Sequence, residues 1–327
     1  MNSSRRRRIL ALARHEYRAA VRSRILISLL LILIVVTAAS VYIATAGYAS
    51  KLAEYETYRA AAQAQGLDRI ALSPLAPLSL LRGGLEYLEI IGAVIAIALG
   101  YLSISRERAN RTLPLLQSRP VTSGERALGS FAGAMALFAT LVAATAAVGI
   151  LSIGLFAKDW ISAPEAFQLL LAYLAAILYL GAFYCLGAIA TAKAKTSANG
   201  LVIALGVWLV VVLVLPQIGD TLDADNQLPG GLFQALTLDR DGETSVMAHF
   251  TGYEKTRTLI EDTSLAKHFE RFSFAMTDVK DRYRPFTLVQ LLRETRTDII
   301  WLLSAAAAMF LGLRRTYKNT NSTGGTA

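Results

Sequence analysis

The sequence predicts an all-α membrane protein: six transmembrane helices, an amphipathic N-terminal interfacial helix and a mainly helical extracytoplasmic insertion. Three observations predict it. Hydrophobic residues fill 54% of the 327 positions and charged residues only 17%, where an average soluble domain carries about 25% charge. The apolar residues come in continuous runs, and roughly 20 such residues of helix cross a hydrocarbon core; a membrane barrel would need strands of about ten residues alternating in polarity. Finally, Arg106 to Glu125, reading RERANRTLPLLQSRPVTSGE, is polar, basic and punctuated by proline, yet lies between two long apolar runs. It must form a structured loop on one membrane face.

The leader comes first. With about 100° between successive helical residues, Ile9, Leu10, Ala13, Tyr17, Ala20 and Val21 share one arc, and Arg8, Arg14, His15, Arg18 and Arg22 fill the neighbouring arc. Such a helix lies in the headgroup layer, its arginines toward anionic lipid and its apolar stripe at the acyl boundary. A basic tail that serves topology alone is the plainer alternative. Spans follow at roughly Ile25 to Ala46, Leu85 to Ser105, Ala127 to Phe156, Ala166 to Ala192, Ala198 to Leu215 and Thr297 to Leu313. Ala44-Thr45-Ala46 resembles a signal cleavage site, but the run before it exceeds the roughly 7–15 residues of a signal core. The last span is short after Asp298, so that carboxylate sits at an interface or is shielded by neighbouring helices.

Between the spans, Gly47 to Gly84 opens with a helix-compatible stretch and turns through Ser73-Pro74 and Ala76-Pro77. Glu86 and Glu89 then share a helix face near the outer interface, where they touch a substrate, line a vestibule or are simply interfacial. In the loop, Leu113 to Gln117 forms a short helix that Ser118-Arg119-Pro120 must break. Thr122 and Glu125 make a capping box that starts the third span. Gly129 and Gly133 form a GxxxG pair for close packing within the bundle or between two protomers. The second outer region, Pro216 to Arg296, begins with the turn-rich PQIGDTLDADNQLPGG and looks helical beyond Thr244.

Charge sets the orientation. Spans of this number leave 18 basic residues and three acids, Glu16, Glu107 and Glu125, on the face shared by both termini, and the two faces come to about +15 and −6. The overall +9 is therefore positive-inside asymmetry and no nucleic-acid signature. Both termini are expected in the cytoplasm.

No catalytic set is visible. His249 and His268 sit among Glu254, Glu261, Asp262 and Glu270, but they lack ligand-pair spacing, so no metal site is expected. The one cysteine, Cys185, lies inside a span and reads as packing. A GxxxxGK[ST] phosphate loop and a GxSxG elbow are both missing, and no span carries an acid, lysine or histidine near its centre. Proton-coupled transport normally needs such a relay. Energy should then come from another polypeptide.

The run Glu107, Arg111-Thr112-Leu113, Leu115-Leu116-Gln117-Ser118-Arg119-Pro120-Val121 and Glu125 resembles the loop between the second and third spans of ABC type 2 permeases. It is similar above all to the subgroup annotated for multicopper-enzyme maturation. Leu12-Ala13-Arg14-His15-Glu16-Tyr17-Arg18 with Arg22-Ser23-Arg24 resembles that family's interfacial helix. Ala109 replaces a family acid and Arg111 a glycine. The resemblance implies a permease subunit of an exporter in a bacterial inner membrane, pairing as a homodimer with two cytoplasmic ATPase subunits. It implies no cofactor on this chain, with ATP and magnesium on the partner. Arg106, Glu107, Arg108, Leu113, Leu115, Leu116, Arg119 and Glu125 are the expected ATPase contact. The expected organisation is an interfacial helix over 1–24, five spans over 25–215 with the coupling loop at 106–126, an outer region at 216–296, and the last span and tail at 297–327. A mechanical relay to an extracytoplasmic partner and a scaffold without an ATPase are the alternatives.

Overall fold

The computed structural model describes residues 3–64, 76–109, 121–157, 160–221, 242, 251–280 and 283–323. Leu113, Leu115, Leu116, Arg119 and His249 lie outside the described residues. Among the described residues the structure is helical throughout, without strands. A leader helix α1 (Ser3–Val21) precedes α2 (Arg24–Ala64), α3 (Pro77–Ala109), α4 (Ser123–Ala157), α5 (Ala163–Lys193) and α6 (Ser197–Gly219). Three shorter helices follow, α7 (Thr251–Asp262), α8 (Leu265–Met276) and α9 (Leu288–Glu294), before α10 (Arg296–Thr323). Helices α2 to α6 and Arg296–Lys318 of α10 are long and apolar enough to cross a membrane. Both ends of the chain then emerge on one face, here the terminal face; the opposite one is the far face.

Helices α3 and α5 are buried along most of their length and form the axis of the bundle, while α2, α6 and α10 present most of their surface outward. Two glycines permit the central contact. A Cβ on Gly100 would strike the Tyr184 carbonyl of α5, and one on Gly187 would strike the Ile97 carbonyl of α3. The two backbones therefore touch, the small-residue packing that membrane helices use in place of a hydrophobic drive. Around them the outward side chains are aliphatic, as on α6 with Val202, Ile203, Val207 and Leu213.

The first span runs well past its expected end. At about 1.5 Å per residue, 41 residues reach roughly 60 Å, twice a hydrocarbon core, so the stretch after Gly47 continues the same helix on the far face. The fifth span also overruns. The turn expected from Pro216 onward begins instead as helix, which continues through Thr221. Proline is accommodated because the turn before it, Leu209–Val214, widens to π geometry. Pro216 has no N–H to offer the preceding carbonyls. One of them, on Val211, accepts a hydrogen bond from the Ser264 hydroxyl at 2.7 Å.

A second π turn, Leu88–Gly92 in α3, is satisfied in the same way, with the Tyr179 hydroxyl of α5 donating to the Glu89 carbonyl at 3.0 Å. Helix α8 lies beside both turns. Ser264 is its N-cap, and Phe269, fully buried, stacks on Tyr179 with centroids 4.9 Å apart and planes 20° from parallel. Part of the outer region is thus built into the bundle instead of standing above it. Asp298 is shielded by neighbours, the second of its two expected settings. It is buried and 2.7 Å from His268 Nδ1 of α8.

Candidate functional site at the terminal face

The loop that joins α3 to α4 is rooted in ion pairs. At its end, Thr122 caps α4: its hydroxyl accepts from the Glu125 N–H at 3.2 Å, and its own N–H donates to Glu125 Oε2 at 2.9 Å. Glu125 has a second partner that sequence reasoning missed. Arg8 of α1 grips the carboxylate with Nη2 at 2.7 Å from Oε1 and Nε at 3.3 Å from Oε2, a two-pronged geometry. Next to it, Arg126 donates through Nη2 to Glu107 Oε2 at 2.7 Å, joining the two ends of the loop. The Arg126 guanidinium also sits 4.8 Å above the Tyr317 ring, which brings in α10.

Arg106 donates to Glu16 of α1 through Nη2 at 3.2 Å. Burial raises the Glu16 carboxyl above its ordinary value, and the Arg106 charge opposes that shift. Arg108 turns toward α5, with Nη2 2.7 Å from the Ala192 carbonyl and Nη1 3.2 Å from that of Ala194. Those carbonyls lie at the helix C-terminus, where a cation is favoured. Each of the four expected contact residues that are described, Arg106, Glu107, Arg108 and Glu125, is therefore engaged with the bundle or the leader helix.

A pattern unites these contacts. The three acids of the terminal face, Glu16, Glu107 and Glu125, each pair with an arginine of another element. Their scarcity among so many basic residues was the available signal, because a rare acid on a basic face finds a partner there. The identities of Arg8, Glu16 and Tyr317 were not legible, since they lie far from the loop in sequence, and the pairing of Arg126 with Glu107 at the loop's other end depends on the fold.

Gly129 and Gly133 receive α1. A Cβ on Gly133 would come within 2.6 Å of the Ala13 carbonyl and 2.7 Å of Glu16 Cβ, and one on Gly129 would strike Leu12. The contacts climb together, with Arg8 at Glu125, Leu12 at Gly129 and Glu16 at Gly133. Helix α1 thus runs alongside α4 for about two turns and does not lie flat across the bundle.

On the far face Glu86 and Glu89 lie in different surroundings. Glu86 is half-exposed and pairs with Arg82 at 2.7 Å, whereas Glu89 is buried within the π turn. A separate cluster joins α7, α8 and α10. The His268 ring stacks on Trp301 at 5.2 Å, and its Nε2 lies 3.1 Å from the Asp262 carbonyl. Arg271 bonds Asp262 at 2.8 Å and also Glu261, which Arg257 reaches at 3.0 Å. Burial pulls the Glu261 carboxyl up, but hydrogen bonds and charge from Arg271 and Arg257 outweigh it and hold the group below its ordinary value. Both ring nitrogens of His268 face oxygen atoms of the protein.

The family model described as ABC-2 family transporter protein matches residues 10–314. A search of curated proteins finds no match.

Proposed function

Since this chain belongs to the ABC-2 family of transporter proteins and is a permease subunit of an ABC transporter, we propose that a separate cytoplasmic ATPase drives it through the loop between α3 and α4. The terminal face is then cytoplasmic and the membrane is the bacterial inner membrane, in keeping with the charge asymmetry. The functional unit is a homodimer served by two ATPase subunits that hold ATP and magnesium.

The observation that carries this reading is the triple pairing of Glu16, Glu107 and Glu125 with Arg106, Arg126 and Arg8. These pairs make the roots of the loop, α1 and the ends of α3 and α4 one unit. A load applied to the loop passes to three helices at once. Leu113, Leu115, Leu116 and Arg119 supply the ATPase contact, while Arg106, Glu107, Arg108 and Glu125 brace it. ATPase closure then moves the bundle as a rigid-body change between two arrangements.

The test replaces Leu115 and Leu116 with Asp. A charge in an apolar docking surface costs about as much as losing a hot spot, roughly 2 kcal/mol or more. The variant should insert normally and fail to co-purify its cytoplasmic ATPase. Retention of the complex at wild-type yield rejects the docking role.

A second reading is supported by α8, whose side chains pack against the π turns of α3 and α6. Motion of those spans reaches the far face through it, which suits a relay of ATP-driven motion to an extracytoplasmic partner with little conduction.

A further inference from the structure

The three acid pairs on the terminal face consume Arg8, Arg106 and Arg126. They leave a row of α1 arginines turned the other way. Arg7, Arg14, Arg18 and Arg22 make no ion pair among the described residues, and all four are exposed. Two of them, Arg7 and Arg14, line a groove of about 600 Å³ between α1 and α4, together with Leu10, Ala11, Tyr17 and Ala136. Positions 7, 10, 14 and 17 fall on one helix stripe at three- and four-residue steps. The climbing contacts put Tyr17 and Ala136 at the bilayer end of the groove and Arg7 at its aqueous end.

We propose that this groove is a binding site for an anionic glycerophospholipid from the leaflet on the terminal face. The polarity of the groove fits a molecule with an anionic head and an apolar body. Tyr17 and Ala136, past Arg14 toward the bilayer, offer apolar surface to the glycerol backbone and upper acyl chains. Arg14 and Arg7, about 10 Å apart along the axis, meet the phosphodiester and the polar headgroup beyond it. Guanidinium groups suit this role because they bind phosphate oxygens in a fork. Among the described residues no acid lines the groove, and Glu16 is held by Arg106. The lipid fills the angle between α1 and α4 and seals the leader helix to the third span. The site does not depend on the transporter reading.

The test uses the full-length protein in nanodiscs of phosphatidylcholine doped with phosphatidylglycerol, with bound lipid counted by native mass spectrometry. The double variant R7Q/R14Q should lose phosphatidylglycerol occupancy at least about fivefold more than the charge-matched control R18Q/R22Q. A136W, which plugs the groove and keeps every arginine, should lower occupancy as well. R7K/R14K should retain part of it. Equal losses in the two double variants overturn the site, leaving only a diffuse basic surface. Equal retention of phosphatidylcholine, displacement by glycerol phosphate, or unchanged occupancy in A136W each overturns it too. Should R7Q/R14Q not reach the membrane, A136W and R7K/R14K decide the question.

Discussion

Removing Arg126 tests whether the loop is braced from within. Its side chain is 5% exposed and that of its partner Glu107 26%. Arg126→Met therefore leaves a carboxylate with its main partner gone in a largely enclosed place. Breaking a buried pair costs about 3–5 kcal/mol, and the partial exposure of Glu107 puts this one near the lower end. Loss of the guanidinium over Tyr317 adds about 0.5–1 kcal/mol. The apparent Tm in nanodiscs, followed by tryptophan fluorescence, should fall by on the order of 5 °C. In Glu107→Leu/Arg126→Met no charge is stranded, and apolar replacement of a buried pair is commonly neutral or stabilising. Thermal stability should return to that of the wild type or above. ATP-driven output should not return, because the ends of the loop are no longer joined. A single variant with wild-type Tm refutes the buried pair, and a double variant with full output refutes its mechanical role.

Four more outcomes follow, three from the packing and one from the charge asymmetry. Gly133→Leu should displace α1, since even a Cβ meets the Ala13 carbonyl at 2.6 Å; overpacking of this kind costs about 1–3 kcal/mol, and an engineered disulfide between positions 8 and 125 should form more slowly than in the wild-type background. Phe269→Ala should destabilise by about 3–5 kcal/mol, because the ring is fully buried against Tyr179; a change below 1 kcal/mol in urea-titrated unfolding would return α8 to the status of a surface appendage. Acid should loosen the far-face cluster: Glu261 is held below its ordinary value, so its contribution is present above about pH 4.3 and is lost as pH falls through the folded value. Hydrogen exchange in α7 should therefore rise below about pH 4 in wild type, and Glu261→Gln should remove that pH dependence; cysteines at Gly124 and at Gly242, challenged with an impermeant thiol reagent in spheroplasts, should in addition label only at 242.

The spans were legible because hydropathy needs no partner: a long uncharged run is costly anywhere but in lipid, and each expected span has its helix. Their ends were less so. Pro216 reads as a turn because proline usually stops a helix, yet here a π turn and the hydroxyl of Ser264 absorb it, and neither is a local property. The leader's apolar arc was visible, but its seat was not. Leu12 and Ala13 pack on glycines more than a hundred residues away, and a wheel shows a face without saying what it meets. Helix α8 falls in the expected outer region, and its stretch has no long apolar run, since Lys267, Glu270 and Arg271 stand among its aromatic residues. Lys267 and Glu270 pair with each other at 2.9 Å, which lets Phe269 and Phe272 turn inward. In the candidate site the capping box was foreseen from spacing alone, whereas Arg8 at Glu125 depends on the fold.

The two wide turns in α3 and α6 can also be viewed as dislocations. Each packs one extra residue into a turn, so the helix above it is rotated relative to the helix below, as a screw thread is offset by a fault. Such a fault can glide along the rod by exchanging one hydrogen bond for the next, leaving both flanking segments whole. A hydroxyl meets each fault, that of Tyr179 at one and of Ser264 at the other. Each of these two spans is thus two rods set at an offset about one axis, with a phenol against one fault and an alcohol against the other.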